Sequence, residues 1–210
     1  MNYHALKRCL DITAGVVGLL VAAPLLVIAT LAISLAIGRP ALFRQSRAGF
    51  HGKIFTLYKL RTMNEAFDES GRLLPDHLRI TWFGRLLRRT SLDELPQLWN
   101  VLRGEMSLVG PRPLLPTYLP RYTERQRRRH EVKPGMTGWA QIHGRNELGW
   151  EERFEFDIWY VDHCGFWLDL KILAMTIWKV LRRDGISQRS HATMPEFEGT
   201  TAHAGSETND

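Results

Sequence analysis

The feature that most constrains this chain is one long apolar run with a proline in its middle. No charged residue occurs between Ile12 and Ile37 in a chain of 210 residues. As a helix this run would be about 39 Å long, against a hydrocarbon core of roughly 30 Å. Pro24 lies halfway along it, where its ring removes one main-chain hydrogen bond and presses on the carbonyl of Leu20. The run predicts either a kinked helix that crosses a membrane or a helix-break-helix that turns back within one leaflet.

Positive charges flank the run on both sides. Lys7 and Arg8 precede it, and Arg39, Arg44 and Arg47 follow it. Because positive residues mark the cytoplasmic side of a membrane segment, both ends are predicted to be cytoplasmic. Re-entry satisfies both ends and a crossing helix satisfies one, although a kinked crossing helix remains compatible with the sequence. A cleaved secretory signal is a third interpretation, but the run is about twice the length of a usual signal-peptide core.

The rest of the chain predicts an α+β fold that is predominantly helical. Alternating apolar residues at 53–61, with glycines at 49 and 52, predict a short strand or β-hairpin. Two short helices are expected across 80–105, and irregular structure is expected at the proline-rich 106–116. The other expected elements are a polar loop with a helical turn at 64–79, a basic helix at 117–131, a glycine-rich loop or short strand at 132–146, and amphipathic helices at 150–164 and 166–185. Strands and helices do not alternate, so a doubly wound sheet is not expected.

Charge and cysteine content indicate the partners and the compartment. The formal net charge is +6, which favours anionic partners such as nucleic acid, acidic lipid or phosphorylated substrates. Cys9 and Cys164 stand far apart without a cysteine or histidine at metal-ligand spacing, so we expect reduced thiols in a domain exposed to cytoplasm. The histidines also lack ligand spacing, and no metal is assigned to them.

An adjacent acidic pair, Asp93 and Glu94, is the strongest candidate for chemistry. It lies in the segment RRTSLDELPQLWN, near the predicted start of a helix, where adjacent side chains point about 100° apart. One carboxylate can therefore face a substrate while the other holds a cation. The spacing of Ser91 and Glu94 also fits a capping box, in which Glu94 reaches back to the main chain of Ser91. On pattern alone, the cap is the commoner use of such residues.

Several cations beside glycine or proline accompany this pair in the sequence. Loops of this kind present a guanidinium rigidly, and its planar fork matches phosphate oxygens. Separate cations around one carboxylate pair suit phosphoryl transfer with a divalent metal. Each of them alone is more often an ordinary surface residue, so the hypothesis depends on the whole set. The candidate phosphate-binding residues are Lys59, Arg61, Arg88, Arg112 and Arg145.

Six segments together make the chain resemble a known family. They are KRCLD, GRPALFRQSRAG, FTLYKLRTM, TWFGRLLRRTSLDELPQLWNVLRGEMSLVGPRPL, VKPGMTGWAQIHGRN and FDIWYVDHCGFWLDLKIL. On these the chain resembles the bacterial sugar transferases, the monotopic phosphoglycosyl transferases that begin glycan assembly on polyprenyl phosphate. The match runs from about Lys7 to Phe197, and the chain looks like the small, single-domain type. The ending GISQRSHATMPEFEG is similar to small members that handle N-acetylated bacillosamine-like sugars, which is a weaker indication.

The resemblance implies a two-step transfer. Asp93 would attack the β-phosphorus of a UDP-sugar and expel UMP, leaving a sugar phosphate on the carboxylate. That acyl phosphate is a mixed anhydride, reactive enough to pass the group to polyprenyl (undecaprenyl) phosphate. Glu94 would help to hold Mg²⁺, and Arg88 would hold the lipid phosphate or orient the acidic pair. The supporting cations would be Lys59, Arg61, Arg112 and Arg145.

The resemblance also favours re-entry over crossing, because the family has a re-entrant helix broken by a proline and Pro24 occupies that place. We therefore expect a re-entrant membrane helix at 1–40, a cytoplasmic catalytic domain at 41–198 and a disordered tail at 199–210. The expected location is the cytoplasmic face of a bacterial inner membrane, with the protein monotopic. Besides the two substrates, membrane lipids are expected partners and nucleic acid is not. The oligomeric state is left open, and a homo-oligomer is compatible with the sequence.

Two further patterns bear on the alternatives. The basic run RYTERQRRRHEVK at 121–133 predicts a solvated helix face, with anionic headgroups or nucleic acid as other partners. The alternative to an enzyme is therefore a membrane-tethered protein that binds nucleic acid or anionic lipid, or a non-catalytic member of the same family. In the amphipathic helices, Trp159 and Trp178 are expected in the core, and Phe166 and Trp167 at the membrane interface. The identity of the sugar cannot be derived from the sequence.

Overall fold

The computed structural model describes residues 2–144, 148–182 and 196–200. Within that part the chain is predominantly helical with two small sheets, which confirms the predicted fold class. The helices are α1 (Tyr3–Ala36), α2 (Asp76–Arg79), α3 (Trp82–Arg89), α4 (Gln97–Arg103), α5 (Glu124–Arg127), α6 (Trp139–His143), α7 (Trp150–His163) and α8 (Phe166–Arg182). The strands are β1 (Leu42–Ala48), β2 (Ile54–Leu60), β3 (Ser107–Val109) and β4 (Gly135–Thr137).

The long apolar run forms one helix, α1, that continues through Pro24. In the described residues it is the one helix long and apolar enough to cross a membrane, judged by length and composition. Its middle exposes large apolar side chains, among them Leu20 at 70% and Val21 at 75%. A helix can retain a proline at the loss of one main-chain hydrogen bond. The predicted interruption at Pro24 is therefore not seen in the secondary structure.

Both halves of α1 pack against the rest of the chain. Near its start, Arg8 donates hydrogen bonds to the carbonyl oxygens of Val101 and Leu102 at 2.6 and 2.7 Å. Near its end, Ile33 is completely buried in an apolar cluster that includes Leu60 of β2. The two ends of the helix therefore rest on the same body of structure, while the large apolar side chains of its middle remain exposed.

β1 and β2 form the antiparallel hairpin that the sequence predicts, with its turn at 49–52. The register places Phe43 opposite Lys59 and Arg47 opposite Phe55. Residues directly opposite each other share one face of a sheet, and alternate residues of a strand share a face as well. Arg47 and Lys59 therefore project from the same face of the hairpin.

A second sheet pairs β3 with β4 in parallel. β3 lies in the segment where only irregular structure was expected, and that expectation is wrong for the three residues that precede the prolines. β4 agrees with the short strand considered at 132–146. The main chains of Gly110 and Gly135 approach each other closely beside this sheet. A Cβ added to Gly135 would lie 2.1 Å from the nitrogen of Gly110. Two glycines are required for this approach.

The basic run does not form the predicted long helix with a solvated cationic face. Prolines interrupt its start, α5 spans four residues, and 3₁₀ helices lie on either side of it at 116–121 and 128–130. Three of its arginines pair with acids of α7. Arg125 contacts Glu155 at 2.6 Å, Arg128 contacts Asp162 at 2.5 Å, and Arg129 contacts Asp157 at 2.7 Å. Arg129 is therefore neutralised inside the domain, whereas Arg125 and Arg128 are paired at its surface.

The tryptophans of α7 and α8 are more exposed than predicted. Trp159 is 37% exposed and Trp178 is 49% exposed, so the expectation that both lie in the core is wrong. Trp159 stacks instead on Trp139, with ring centroids 4.4 Å apart. Trp167 is 78% exposed, and Phe166 is partly buried. Exposed tryptophans on amphipathic helices suit a membrane interface.

The end of the described chain packs on the domain. Phe197 is buried in an aromatic cluster with Tyr118, Tyr122 and Phe154. Arg121 donates a hydrogen bond to the Phe197 carbonyl oxygen. The predicted tail at 199–210 is described only for its first two residues, and 183–195, which carry most of the ending compared with bacillosamine-type enzymes, lie outside the described residues.

Candidate active site

The acidic pair lies in a 3₁₀ helix, Leu92–Glu94, between α3 and α4. Ser91 precedes it in a left-handed conformation, with φ at 56°, and its side chain makes no capping hydrogen bond. The predicted capping box of Ser91 and Glu94 is therefore wrong, because the Glu94 side chain is engaged elsewhere. A capping box does occur at Thr123 and Gln126 in α5.

Two cations hold the Glu94 carboxylate. Lys59 Nζ lies 2.8 Å from Glu94 Oε1, and Arg112 Nη2 lies 2.6 Å from the same oxygen. Arg112 Nη1 contacts the other oxygen, Oε2, at 3.4 Å. Burial by itself would raise the pKa of Glu94, but Arg112 and Lys59 outweigh it and hold that pKa well below its ordinary value. Glu94 is therefore a fixed anion in the site.

The Asp93 carboxylate, unlike that of Glu94, is not held by a cation in the described part of the chain. Its side chain is buried, and no hydrogen bond or ion pair holds its carboxylate among the described residues. Burial and the neighbouring Glu94 charge raise the pKa of Asp93 to about 6, although Lys59, Arg88 and Arg112 act in the opposite direction. Deprotonated Asp93 is thus a poorly solvated carboxylate, and poor solvation favours nucleophilic attack.

The predicted cations are only partly gathered at this pair. Lys59 and Arg112 contact Glu94 directly, and Arg88 is near enough to lower the Asp93 pKa while its Nε donates to Thr62 Oγ1 at 3.1 Å. Arg61 is turned away: it pairs with Glu65 and donates to the carbonyl oxygen of Arg39 at 3.2 Å. Arg145 lies outside the described residues.

The loop that carries Arg112 is hydrogen-bonded to residues that the sequence did not single out. Pro111 and Pro113 flank Arg112, and Arg129 Nη2 donates to the Arg112 carbonyl oxygen at 2.7 Å. Arg129 and Asp157 form an ion pair in which both side chains are 2% exposed. Asp157 stands between the apolar Phe156 and Ile158 of α7, and this position was the one sequence signal for such a buried pair. Arg47, which was assigned only to the membrane flank, also contacts this loop at the Pro113 carbonyl oxygen.

The site offers limited ligation for a metal. In the described part of the chain, no three histidine, cysteine or acidic residues gather as a metal site. Mg²⁺, however, is commonly bound by one or two carboxylates together with substrate phosphates and waters. Glu94 Oε2 fits that role because its cation contact is the long one, at 3.4 Å, and Asp93 lies beside it. The residues are therefore compatible with an ion that a diphosphate helps to hold.

Comparison with known proteins identifies the family of the chain. A family model described as bacterial sugar transferase matches residues 2–183. The uncharacterized sugar transferase EpsL of Bacillus subtilis (strain 168) is 56% identical over 195 residues, which cover 93% of this chain and 96% of that protein. The similarity therefore extends over almost the full length of both chains.

Two relatives with a named reaction are longer than this chain. The undecaprenyl-phosphate galactose phosphotransferase of Salmonella typhimurium (strain LT2) is 42% identical over 197 residues, 86% of this chain and 41% of that protein. The UDP-glucose:undecaprenyl-phosphate glucose-1-phosphate transferase of Escherichia coli (strain K12) is 42% identical over 184 residues, 83% of this chain and 40% of that protein. The matched segment is less than half of each relative, but it includes most of the length of this chain. With the family model and EpsL covering nearly all of it, this chain belongs to the bacterial sugar transferase family.

Proposed function

We propose that this chain transfers a sugar 1-phosphate from a UDP-sugar to polyprenyl phosphate and releases UMP, with Asp93 as the nucleophile. The observation that carries the proposal is the difference in hydrogen bonding between the two acids of the pair. Glu94 is held by Lys59 and Arg112, whereas Asp93, buried beside it, keeps its carboxylate free of hydrogen bonds among the described residues. A carboxylate of raised pKa that no described side chain holds, next to a cationic cluster, points to chemistry.

The proposed reaction has two displacements at one phosphorus. In the first, an Asp93 carboxylate oxygen forms a bond to the β-phosphorus of the donor, and the bond from that phosphorus to the bridging oxygen breaks, so that UMP leaves with the electron pair. In the second, a phosphate oxygen of polyprenyl phosphate attacks the same phosphorus and the Asp93 carboxylate departs. The product is a sugar joined to the lipid by a diphosphate, and the enzyme returns to its starting state.

The cations make the first displacement electrostatically feasible. An anionic carboxylate must approach an anionic diphosphate, so positive charge has to be present before the two meet. Lys59 and Arg112 supply it at fixed positions, because Glu94 orients both. A Mg²⁺ ion held by Glu94 and the substrate phosphates would add further charge neutralisation when bound. Arg88, close to Asp93, is assigned to the lipid phosphate or to orientation of Asp93.

The named relatives support the substrate class. The Salmonella protein is named as a galactose phosphotransferase on undecaprenyl phosphate, and the Escherichia coli protein as a glucose-1-phosphate transferase from UDP-glucose to the same lipid. The competing function, binding of nucleic acid through the basic run, is weakened by the pairing of Arg125, Arg128 and Arg129 with acids of α7. The catalytic function is therefore the better supported of the two.

The covalent step is tested by the first half-reaction alone. Purified protein is mixed with UDP-glucose, UDP-galactose or UDP-N-acetylated sugars without lipid acceptor, and UMP is measured on a rapid time scale. With the correct donor we expect a burst of UMP that approaches one equivalent of protein, followed by continuous release once polyprenyl phosphate is added. Asp93→Asn, which preserves shape and removes the charge, should abolish the burst. UMP that appears only when donor and lipid are both present would contradict the covalent intermediate.

We also propose that α1 re-enters the cytoplasmic face of the inner membrane instead of crossing it. Arg8 near its start and Ile33 near its end pack on the same domain, and the apolar middle around Leu20 is exposed for contact with lipid. A straight crossing helix would separate its two ends by the thickness of the membrane. Re-entry places the acidic pair near the headgroups, where a lipid phosphate and a soluble sugar donor can meet.

Topology is tested by cysteine labelling in cells. Cys9 and Cys164 are first replaced by serine, and Asn2→Cys then reports on the start of α1. Glu69→Cys, in an exposed loop of the catalytic domain, is the matched control. Both positions should react with a thiol reagent only after the cytoplasmic side is made accessible. Labelling of position 2 from the periplasm, with position 69 protected, would establish a crossing helix.

A further inference from the structure

Arg47 lies near the end of β1 and uses only some of its hydrogen-bond donors. Its Nη2 donates to Gln45 Oε1 at 2.5 Å, and its Nη1 donates to the Pro113 carbonyl oxygen at 3.3 Å. Its Nε is buried and has no hydrogen-bond partner among the described residues. Native structures seldom leave a buried donor unpaired, and a bound anion is one kind of group that satisfies such a donor.

Arg47 makes no ion pair with an acid among the described residues. Burial lowers the pKa of Arg47 to about 10, and the neighbouring Arg112 guanidinium contributes in the same direction. The acid that acts on it, Glu94, is already paired with both Lys59 and Arg112. Arg47 has therefore lost water without gaining a counter-ion of its own from the part of the chain that the structure describes. An anion that bound here would supply both the missing charge and the missing acceptor.

The hairpin register places Arg47 in line with the cations of the active site. Lys59 lies opposite Phe43, four residues from Arg47 along β1, so their backbone positions on this face are separated by about 13 Å along the strand, at about 3.3 Å per residue. Arg112 lies between them, since its guanidinium contacts Glu94 and the carbonyl of Pro113, the next residue, contacts Arg47. Three cations in such a row suit an extended diphosphate whose one end is at the acidic pair.

We propose that Arg47, with Arg112, binds the phosphate of the departing nucleotide, an inference that rests on the proposed function. When the bond from the β-phosphorus to the bridging oxygen breaks, the electron pair and the negative charge pass to the phosphate of UMP. A cation at that end stabilises the charge as it develops. Lys59, on Glu94, stands at the attacked end of the row, and Arg47 stands at the other. The step needs no reactant beyond those of the proposed reaction.

The test measures UMP binding in the full chain purified with lipid or detergent. UMP inhibition of transfer and UMP protection against thermal unfolding are compared in the parent, Arg47→Ala and Arg47→Lys. Loss of a charged hydrogen-bond donor should weaken UMP binding about tenfold or more in Arg47→Ala. Arg47→Lys, which keeps the charge and loses the planar fork, should retain part of the affinity. The kcat/KM for polyprenyl phosphate should stay within about twofold in both variants, because the second displacement occurs after UMP has left.

Arg44→Ala is the matched control. Arg44 lies on the same strand but projects from the opposite face, over the ring of Tyr58 at 5.8 Å. Arg44→Ala removes the same charge three residues away. Because exposed surface charges contribute little, UMP affinity should stay within about twofold of the parent. An equal loss of affinity in Arg44→Ala and Arg47→Ala would mean that only net charge matters, and would overturn the assignment.

The remaining outcomes are also decisive. If Arg47 only braces the Pro113 loop, Arg47→Ala will lower the unfolding midpoint and kcat while UMP affinity stays at the parent value, and the inference is then wrong. If Arg47→Ala does not fold, Arg47→Lys decides, since parent-like UMP affinity in that variant would again contradict the role of the fork. Failure of the proposed function is recognised separately: the parent itself would neither release nor bind UMP, which removes both proposals before any variant is compared.

Discussion

Two buried charged clusters in this molecule are built from similar side chains and differ in how completely they are paired. The first anchors α1 on α8. Asp169 Oδ2 accepts hydrogen bonds from Lys7 Nζ at 2.5 Å and from Tyr3 Oη at 2.9 Å, and its Oδ1 accepts one from Tyr160 Oη at 2.7 Å. Both oxygens of this anchor carboxylate are therefore engaged.

The second cluster surrounds the acidic pair and leaves one of its two carboxylates without a hydrogen bond. Glu94 is held by Lys59 and Arg112 as closely as Asp169 is held in the anchor. Asp93 is equally buried and accepts no hydrogen bond from the described residues. A fully paired cluster contributes to stability and specificity, whereas a buried group without partners weakens the fold and is retained where chemistry requires it. Under the proposed function, Asp169 is a structural acid and Asp93 is the reactive one.

The largest expected effect is at Asp93. Asp93→Asn removes the proposed nucleophile, and transfer should fall by about a thousandfold or more. The same substitution should raise the unfolding free energy at pH 7, because it deletes a buried charge without breaking a described hydrogen bond. Rate and thermal unfolding are measured on the same preparation. A variant that is inactive and also less stable than the parent would place Asp93 with the structural acids and break the comparison.

Glu94→Gln should have the second largest effect, with the opposite sign for stability. It leaves the partly buried Lys59 and Arg112 without their counter-ion, so we expect about a hundredfold loss of transfer together with a lower unfolding midpoint. Steady-state kinetics and thermal unfolding check both parts. If Glu94→Gln is as stable as the parent, the cations are held by other groups and the assignment of Glu94 as a fixed anion is wrong.

Asp169→Asn tests the anchor, where the expected effect is on stability alone. The change leaves Lys7 without its charged partner and should cost about 3 kcal/mol of unfolding free energy. The rate per folded molecule, measured below the unfolding transition, should stay within about threefold of the parent. A large loss of rate at full folding would show that the anchor takes part in catalysis.

The last expected effect is a pH dependence that comes from Asp93. Because the pKa of Asp93 is raised to about 6, the first half-reaction should slow about tenfold for each pH unit below 6 and level off above it. For stability, a raised carboxyl pKa favours the folded state below the ordinary value of 3.8, and this contribution is lost as pH rises through about 6. The advantage of Asp93→Asn over the parent should therefore grow from pH 4 to pH 7, to at most about 3 kcal/mol. An advantage independent of pH would contradict the raised pKa.

Local patterns predicted the elements better than they predicted the pairing of charges. The alternation at 53–61 predicted β2. Lys59, Glu94 and Arg112 were proposed from their chemistry, and the structure brings these three side chains into contact. Ser91, however, takes no part in a cap, since the competition for Glu94 is decided by cations distant in sequence. That competition is a tertiary effect, and residue spacing carries no information on it.

The same limit explains the failures in the basic run and in the aromatic helices. Arg129 looked like a surface charge, and it is buried because Asp157, 28 residues away, faces it inside the domain. Trp159 looked like a core residue, and it is partly exposed beside Trp139. In both cases the environment is set by a partner on another element, so only the assembled fold reveals it.

The most direct test of the central claim is to locate the sugar phosphate on the protein. The parent is mixed with its UDP-sugar without lipid, quenched rapidly and cleaved after arginine, which yields a peptide of residues 90–103 that contains both acids. The account predicts one added sugar phosphate on Asp93, absent in Asp93→Asn and discharged by polyprenyl phosphate. An adduct on another residue, or full transfer activity with no adduct at any time point, would contradict it.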